Sequence, residues 1–186
     1  MPLPTPPLHS PLTALAEAFA FLDASLQSEL ERTARTPACG PGCYACCLQP
    51  IPLSLAEVMG IKAFLKEHDP IPHSPTGGRK GDPDGGGGRG SLDRCPFLHE
   101  GGCLIYPVRP FACRRYLVFG RPCAKGEEPL QSRPQDVHRP SQAALLHALN
   151  MTLPLYDAAG LPHGRREDRD FFTRHTALIQ QIQWDG

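Results

Sequence analysis

The sequence lacks three features that would assign the protein to a large class at once. Its 19 basic and 19 acidic residues cancel, so no overall charge attracts nucleic acid or an anionic membrane. No apolar run approaches the roughly 20 residues that a membrane span requires. Residues 1–10 contain neither the basic nor the apolar segment of a secretory signal. We therefore expect a cytoplasmic protein that does not cross a membrane.

The composition is typical of one globular domain with an inserted segment. The chain has 186 residues, and its 18 glycines and 22 prolines stay below the share that indicates wholesale disorder. Residues 1–10 are rich in proline, so we expect a disordered lead-in there and a single domain over 11–186. Residues 69–92 contain eight glycines and almost no apolar side chain, which predicts a flexible Gly/Pro-rich insertion.

Apolar periodicity predicts a mainly α fold. The expected helices cover residues 11–35, 54–66, 140–152 and 166–183. The first should begin with Ser10 as N-cap and Pro11 in the first turn, and the second with a capping box formed by Ser54 and Glu57. The last helix should bury one apolar face: Phe171, Phe172, Leu178, Ile179 and Ile182. The segment from Cys95 to Cys103 predicts a short β-hairpin with a glycine-rich turn.

Cysteine is the residue type that stands out, because eight are present. They form two blocks: Cys39, Cys43, Cys46 and Cys47, then Cys95, Cys103, Cys113 and Cys123. In a reducing compartment such a cluster favours metal binding over disulfides. Thiols two to four residues apart on a Gly/Pro turn can face one ion. Ligation by sulfur alone suits zinc or an iron–sulfur cluster. We therefore predict a small irregular Cys-rich metal-binding centre.

Neither disulfide formation nor the division of the thiols is settled by spacing. Cys46 and Cys47 are adjacent, with Cα atoms about 3.8 Å apart, whereas a relaxed disulfide needs roughly 4.4–6.8 Å. These two residues should not bond to each other, although each could pair elsewhere. The eight thiols could form two four-ligand sites, or one cluster with spare thiols. Cys123 lies by itself in a predicted loop.

Basic residues accompany the second block. The segment from Cys103 through Lys125 contains five basic residues, Lys125 included, and no acidic one. A four-thiolate site around a divalent ion is negatively charged, and a buried anion needs nearby donors or cations. We predict that Arg109, Arg114 and Arg115 lie beside the bound metal or cluster and balance its charge.

Aromatic residues among these basic side chains suggest an alternative function, RNA binding by a zinc module. The rings are Tyr106, Phe111, Tyr116 and Phe119. Such rings could stack on bases while the arginines neutralise phosphates. Packing of the rings around the metal loops is the simpler interpretation, so nucleic acid is not an expected partner. The sequence identifies no protein partner.

The cysteine motifs resemble those of a known family, the zinc- or iron-chelating CxxCxxCC proteins. The matching motifs span residues 36–123: Cys39-x3-Cys43-x2-Cys46-Cys47, Cys95-Pro-Phe-Leu, Cys103-x-Ile-Tyr and Arg109-Pro110-x-x-Cys113-Arg114. The first gap has three residues where the family name has two, and the 69–92 insertion separates the blocks. The resemblance implies metal chelation by these cysteines. It also implies an alternative, an iron–sulfur-dependent methyl-transfer enzyme related to flagellin lysine methylase.

Whether the protein is an enzyme stays open at this level. Cys39-x3-Cys43-x2-Cys46 has the spacing found in radical S-adenosylmethionine enzymes, but the repeated strand–helix units of that class are absent from the sequence. Three ligands per metal would favour chemistry at an open position, and four would favour a structural site.

Overall fold

The computed structural model of the chain describes residues 10–40, 42–68, 94–124, 127–161 and 169–184. The predicted insertion at 69–92 lies outside these ranges, as does the predicted lead-in apart from Ser10. The α-helices are α1 (Pro11–Thr33), α2 (Leu55–Glu67), α3 (Phe111–Arg114), α4 (Pro129–Ser132), α5 (Gln142–Met151), α6 (Leu153–Ala158) and α7 (Arg169–Arg174). The strands are β1 (Pro52–Ser54), β2 (Leu98–His99), β3 (Gly102–Cys103), β4 (Leu117–Val118), β5 (Val137–His138) and β6 (Thr176–Leu178). The prediction of a mainly α fold is confirmed.

The two longest helices begin where their caps predict. The Ser10 hydroxyl accepts a hydrogen bond from the Thr13 amide, with Pro11 in the first turn, and α1 ends at Ala34 in a left-handed conformation. At α2 the Ser54 side chain and the Glu57 carboxylate cap each other's amides, as the capping box predicts. One face of α1 is buried and packs against α2 and α5: Ala14, Leu15, Ala18, Phe19, Leu22 and Leu26.

Gly60 lets α1 and α2 approach closely. A Cβ added at this position would clash with the side chain of Leu15, which is fully buried. We expect Gly60→Ala to destabilise the fold by about 1–3 kcal/mol through overpacking, although alanine is the better helix former by about 1 kcal/mol. Chemical denaturation should show this loss, and the same substitution in a Leu15→Ala background should be neutral or stabilising. Equal losses in both backgrounds would contradict the close-approach explanation.

The strands form three antiparallel pairs in the described residues, and one of them has a clear local cause. β2 pairs with β3 through a two-residue turn in which Glu100 and Gly101 both have positive φ, as a type I′ turn requires. This is the predicted hairpin. β4 pairs with β5, and β1 pairs with β6 so that Leu53 lies opposite Ala177.

The predicted helix over 166–183 is wrong in its second half. After α7 the chain extends into β6 and then a 3₁₀ turn at Ile179–Gln181. The backbone there bonds across to the segment around β1, and the Ile179 amide donates to the Ile51 carbonyl at 2.9 Å. Pairing with a distant strand therefore replaces the helical hydrogen bonds. The expected apolar face is nevertheless largely buried, because Phe171, Phe172 and Ile179 all lie in the core.

Three apolar clusters make up the core around these elements. One lies between α1, α3 and α5, and a second lies between α2, α6 and α7. The third surrounds Leu53, Ile61 and Ile105 and borders the cysteines. Across the described ranges, no helix combines the length and apolarity needed to traverse a bilayer.

Candidate metal centre

The loop after α1 brings Cys39 beside β4. The Ala38 amide donates to the Val118 carbonyl at 2.7 Å, and Pro37 bridges to Phe119. In return the Val118 amide donates to the Sγ of Cys39 at 3.3 Å. The first cysteine block is thus fixed to a strand from the second half of the chain.

A 3₁₀ turn at Ala45–Leu48 holds Cys46 and Cys47. The Cys47 carbonyl accepts a hydrogen bond from the Cys95 amide at 2.7 Å, which joins the two cysteine blocks through the backbone. A hydrogen bond between the two neighbouring thiols lowers the pKa of Cys46 and raises that of Cys47. All eight cysteines are free thiols.

Four thiols line one small cavity of about 20 Å³. They are Cys39, Cys43, Cys46 and Cys123, and we call them the first thiol set. A cavity needs on the order of 10–15 Å³ to hold one water-sized sphere, so this one has room for a single ion. Burial is the main cause that raises the pKa of Cys39, and the proximity of Cys43, Cys123 and Cys46 raises it further.

The other four cysteines pack in or against the apolar cluster around Ile61. They are Cys47, Cys95, Cys103 and Cys113, and we call them the second thiol set. Cys103 lies on β3 opposite Leu98, and Cys113 lies in α3. Each of the four interacts electrostatically with Cys46, which lies between the two sets.

Burial raises the pKa of most of these thiols, in Cys95 to about 12. Burial is the largest cause in five of them: Cys39, Cys95, Cys103, Cys113 and Cys123. Such thiols stay protonated and neutral near pH 7 when no cation is close. A divalent cation favours the thiolate form, so metal binding would release protons from them.

The three predicted charge-balancing arginines lie in different surroundings. Arg109 acts on Cys103 and lowers its pKa, although burial raises it more. Arg115 lines a larger cavity together with Cys46 and Cys113. Arg114 is 5% exposed, and its guanidinium bonds to Asp23 at 2.6 Å and stacks on Phe19. Its main contacts thus connect α3 to α1, and its proposed role beside a metal stays a prediction.

Sequence reasoning missed Arg133, which fixes the loop that carries Cys123. Arg133 is 5% exposed. Its guanidinium donates to Glu127 at 2.8 Å, to the carbonyls of Phe119 and Arg121, and to the Sγ of Cys123 at 3.7 Å. Arg133 follows Cys123 by ten residues in a stretch predicted to be loop, so no local pattern indicated it.

Glu127 should make the stability of this loop depend on pH. Hydrogen bonds from Arg133 above all lower the pKa of Glu127 from its ordinary 4.5 to about 2. A lowered carboxyl pKa contributes stability that is present above the ordinary value and is lost as the pH falls towards 2. We expect Glu127→Gln to melt lower than wild type at pH 6, and the gap between the two melting temperatures to narrow as the pH falls from about 5 towards 2. Glu31→Gln, on the exposed face of α1, should instead follow wild type throughout, and a constant gap between wild type and Glu127→Gln would contradict this assignment.

Glu57 is a second residue whose role the sequence shows only in part. It is buried, and one carboxylate oxygen accepts from the Ser54 amide at 2.7 Å within the capping box. The other oxygen accepts from the Phe111 amide at 2.6 Å. Glu57 therefore caps α3 as well as α2 and holds the turn that contains Cys113.

The side chains of the described residues do not form a closed metal site as they stand. In the parts of the chain that the structure describes, no three histidine, cysteine, aspartate or glutamate side chains are arranged so that they could hold a metal ion as they stand. The donor chemistry nevertheless fits a thiophilic metal, because four free thiols are among the residues that line this small cavity.

Comparison with known proteins gives one match. No curated protein and no solved structure matches the chain. A family model described as "Putative zinc- or iron-chelating domain" matches residues 38–136, which include all eight cysteines together with Arg133. The matched segment is more than half of the chain, and its description supports metal binding. The chain belongs to the CxxCxxCC family.

Proposed function

We propose that the protein binds zinc or iron through cysteine thiolates at two sites, one for each thiol set. The observation that carries this proposal is the 20 Å³ cavity lined by Cys39, Cys43, Cys46 and Cys123. Its ligands come from both cysteine blocks, which are distant in sequence. Four sulfur ligands around one ion are the usual arrangement of a structural zinc site. A cytoplasmic location, where thiols stay reduced, is part of the proposal.

The proposal of a second site rests on the common surroundings of the four thiols in the second thiol set. Cys95 is buried, and the three other thiols of the second set are half-buried against the same apolar cluster. Without a metal, four neutral thiols in apolar surroundings are weak hydrogen-bond donors with few acceptors. With a cation, the same four groups as thiolates would all have one shared partner. Arg109 would offset part of the negative charge from the side of Cys103.

Metal binding would require side chains to rotate. The backbone around the thiols is held by hydrogen bonds such as Cys95 to Cys47, whereas thiol rotamers can change at low cost. An ion entering the first cavity would draw the four Sγ atoms to about 2.3 Å, the usual zinc–sulfur distance. Ligands that close around an ion couple binding to folding, and structural zinc contributes on the order of 10–16 kcal/mol in small domains.

The size of the first cavity favours one zinc ion there over an iron–sulfur cluster, which contains several atoms. The second set could hold either zinc or a cluster, because thiolates serve both. With four thiols for each metal, no open position is left for a substrate on the metal. This count favours chelation over methyl transfer, the enzymatic alternative raised by the family resemblance.

Elemental analysis after anaerobic purification tests this function. We expect a colourless protein with two zinc ions for each chain, or one zinc with a brown cluster that contains iron and labile sulfide. Purified protein with no transition metal that keeps its fold in strong chelator would overturn the proposal.

RNA binding has less support from the structure. Phe111 and Phe119, two of the four rings considered, are buried. Tyr116 is half-buried and donates its hydroxyl to Glu128 at 3.0 Å, while Tyr106 is 55% exposed with Arg109 stacked on it. We propose that nucleic acid is not a partner, and a salt titration showing no salt-dependent RNA affinity would agree with this.

A further inference from the structure

A second, larger cavity lies next to both thiol sets. Its volume is about 250 Å³, and Cys46 and Cys113 form part of its lining. The volume is just below the roughly 300 Å³ at which drug-sized pockets begin, so a compact molecule would fill it. Metal chelation by thiols does not require such a space.

One wall of this cavity is apolar. The segment Pro50–Pro52 forms it, with Ala112 and Leu130 also in the lining. Both prolines lack an amide proton, so this wall offers little to a polar ligand. Removing the apolar body of a small molecule from water against it would be favourable.

Among the described residues that line this cavity, Arg115 and Arg139 are positively charged and Glu128 is negatively charged. That carboxylate accepts hydrogen bonds from the Tyr116 hydroxyl at 3.0 Å and from the Leu130 amide at 3.1 Å. Guanidinium groups match the geometry of a carboxylate with two parallel hydrogen bonds.

We propose that this cavity binds a small organic acid, with its carboxylate on Arg115 and Arg139 and its apolar body against Pro50–Pro52. The combination of an apolar wall with two guanidinium groups suits such an acid better than a bare inorganic anion or a neutral apolar molecule. A bound acid would lie beside Cys46 and Cys113, so the cavity connects the proposed metal sites to a small-molecule ligand. This inference deepens the proposed function but does not depend on which metal is bound.

Binding of benzoate to the protein as purified tests the inference. Benzoate supplies a carboxylate on an apolar ring, benzyl alcohol supplies the ring without the charge, and phosphate supplies charge without the ring. We expect benzoate to bind saturably and to shift the amide resonances of Ile51 and Ala112. We expect the two other probes to bind at least tenfold more weakly. Benzoate that leaves these resonances unmoved, or phosphate that binds as tightly as benzoate, would overturn the proposal.

Arginine variants locate the carboxylate. Arg139→Gln should weaken benzoate binding at least fivefold, and Arg115→Gln should act in the same direction. Arg32→Gln, on the exposed surface of α1, is the matched control and should bind like wild type. Metal content measured on the same samples separates the two proposals. Loss of benzoate binding with metal retained supports the organic-acid site, and equal affinity in Arg139→Gln and Arg32→Gln contradicts it.

Discussion

Cys46→Ser should lose the metal of the first site and weaken the second at least tenfold. Cys46 lines the first cavity and also the larger one beside Cys113, and its thiol shares a hydrogen bond with Cys47 of the second set. A serine hydroxyl is a poor ligand for a thiophilic metal. Because structural zinc can contribute on the order of 10 kcal/mol, the melting temperature should fall steeply. Elemental analysis and thermal unfolding measure both effects.

Two single-set variants serve as controls for this result. Cys43→Ser should remove only the first metal, since Cys43 is exposed at the edge of the first cavity. Cys103→Ser should remove only the second, since Cys103 packs against the apolar cluster with the rest of the second thiol set. A Cys46→Ser protein with its full metal content would contradict the central position of this thiol. Equal losses in all three variants would contradict the division into two sets.

Glu57→Gln should lower the free energy of unfolding by roughly 1–3 kcal/mol, because a buried donor loses its acceptor. Its carboxylate accepts from the amides of Ser54 and Phe111 at 2.7 and 2.6 Å. Glutamine keeps one acceptor oxygen and places an amide group against the other donor, so one buried N–H loses its partner. Chemical denaturation of metal-loaded protein measures the loss.

The same variant should also affect the second thiol set, because Glu57 caps the turn that holds Cys113. We expect weaker metal binding at the second site and unchanged binding at the first. Glu17→Gln, at an exposed position of α1, is the matched control and should match wild type in both measurements. A Glu57→Gln protein as stable as Glu17→Gln would show that the buried carboxylate does not hold α3.

Helices with local start signals could be predicted from the sequence. Ser10 and Ser54 mark the first residues of α1 and α2 because a cap is a contact between residues three positions apart. The segment after α7 could not be predicted, because its conformation depends on hydrogen bonds to residues around Leu53, more than a hundred positions away. Its apolar residues were rightly expected to be buried, since apolarity indicates burial more reliably than it indicates helix or strand.

In the candidate site, too, some features could be predicted from the sequence and others depend on tertiary contacts. Thiol chemistry and spacing identify the cysteines, because ligand type is a property of the residue itself. Glu57 was expected only as a cap for α2, and its contact with the Phe111 amide depends on how α2 packs against α3. Arg133 touches Cys123 through a loop whose course is set by the β4–β5 pair. Such tertiary partners have no signature in a single sequence.

X-ray absorption at the zinc or iron edge of the anaerobically purified protein tests the central claim most directly. The account predicts a first coordination shell of sulfur alone, with four sulfurs at about 2.3 Å around each zinc. Cys46→Ser should reduce the sulfur count in the same measurement. A shell of nitrogen or oxygen ligands at about 2.0–2.2 Å would contradict the claim that these eight thiols hold the metal.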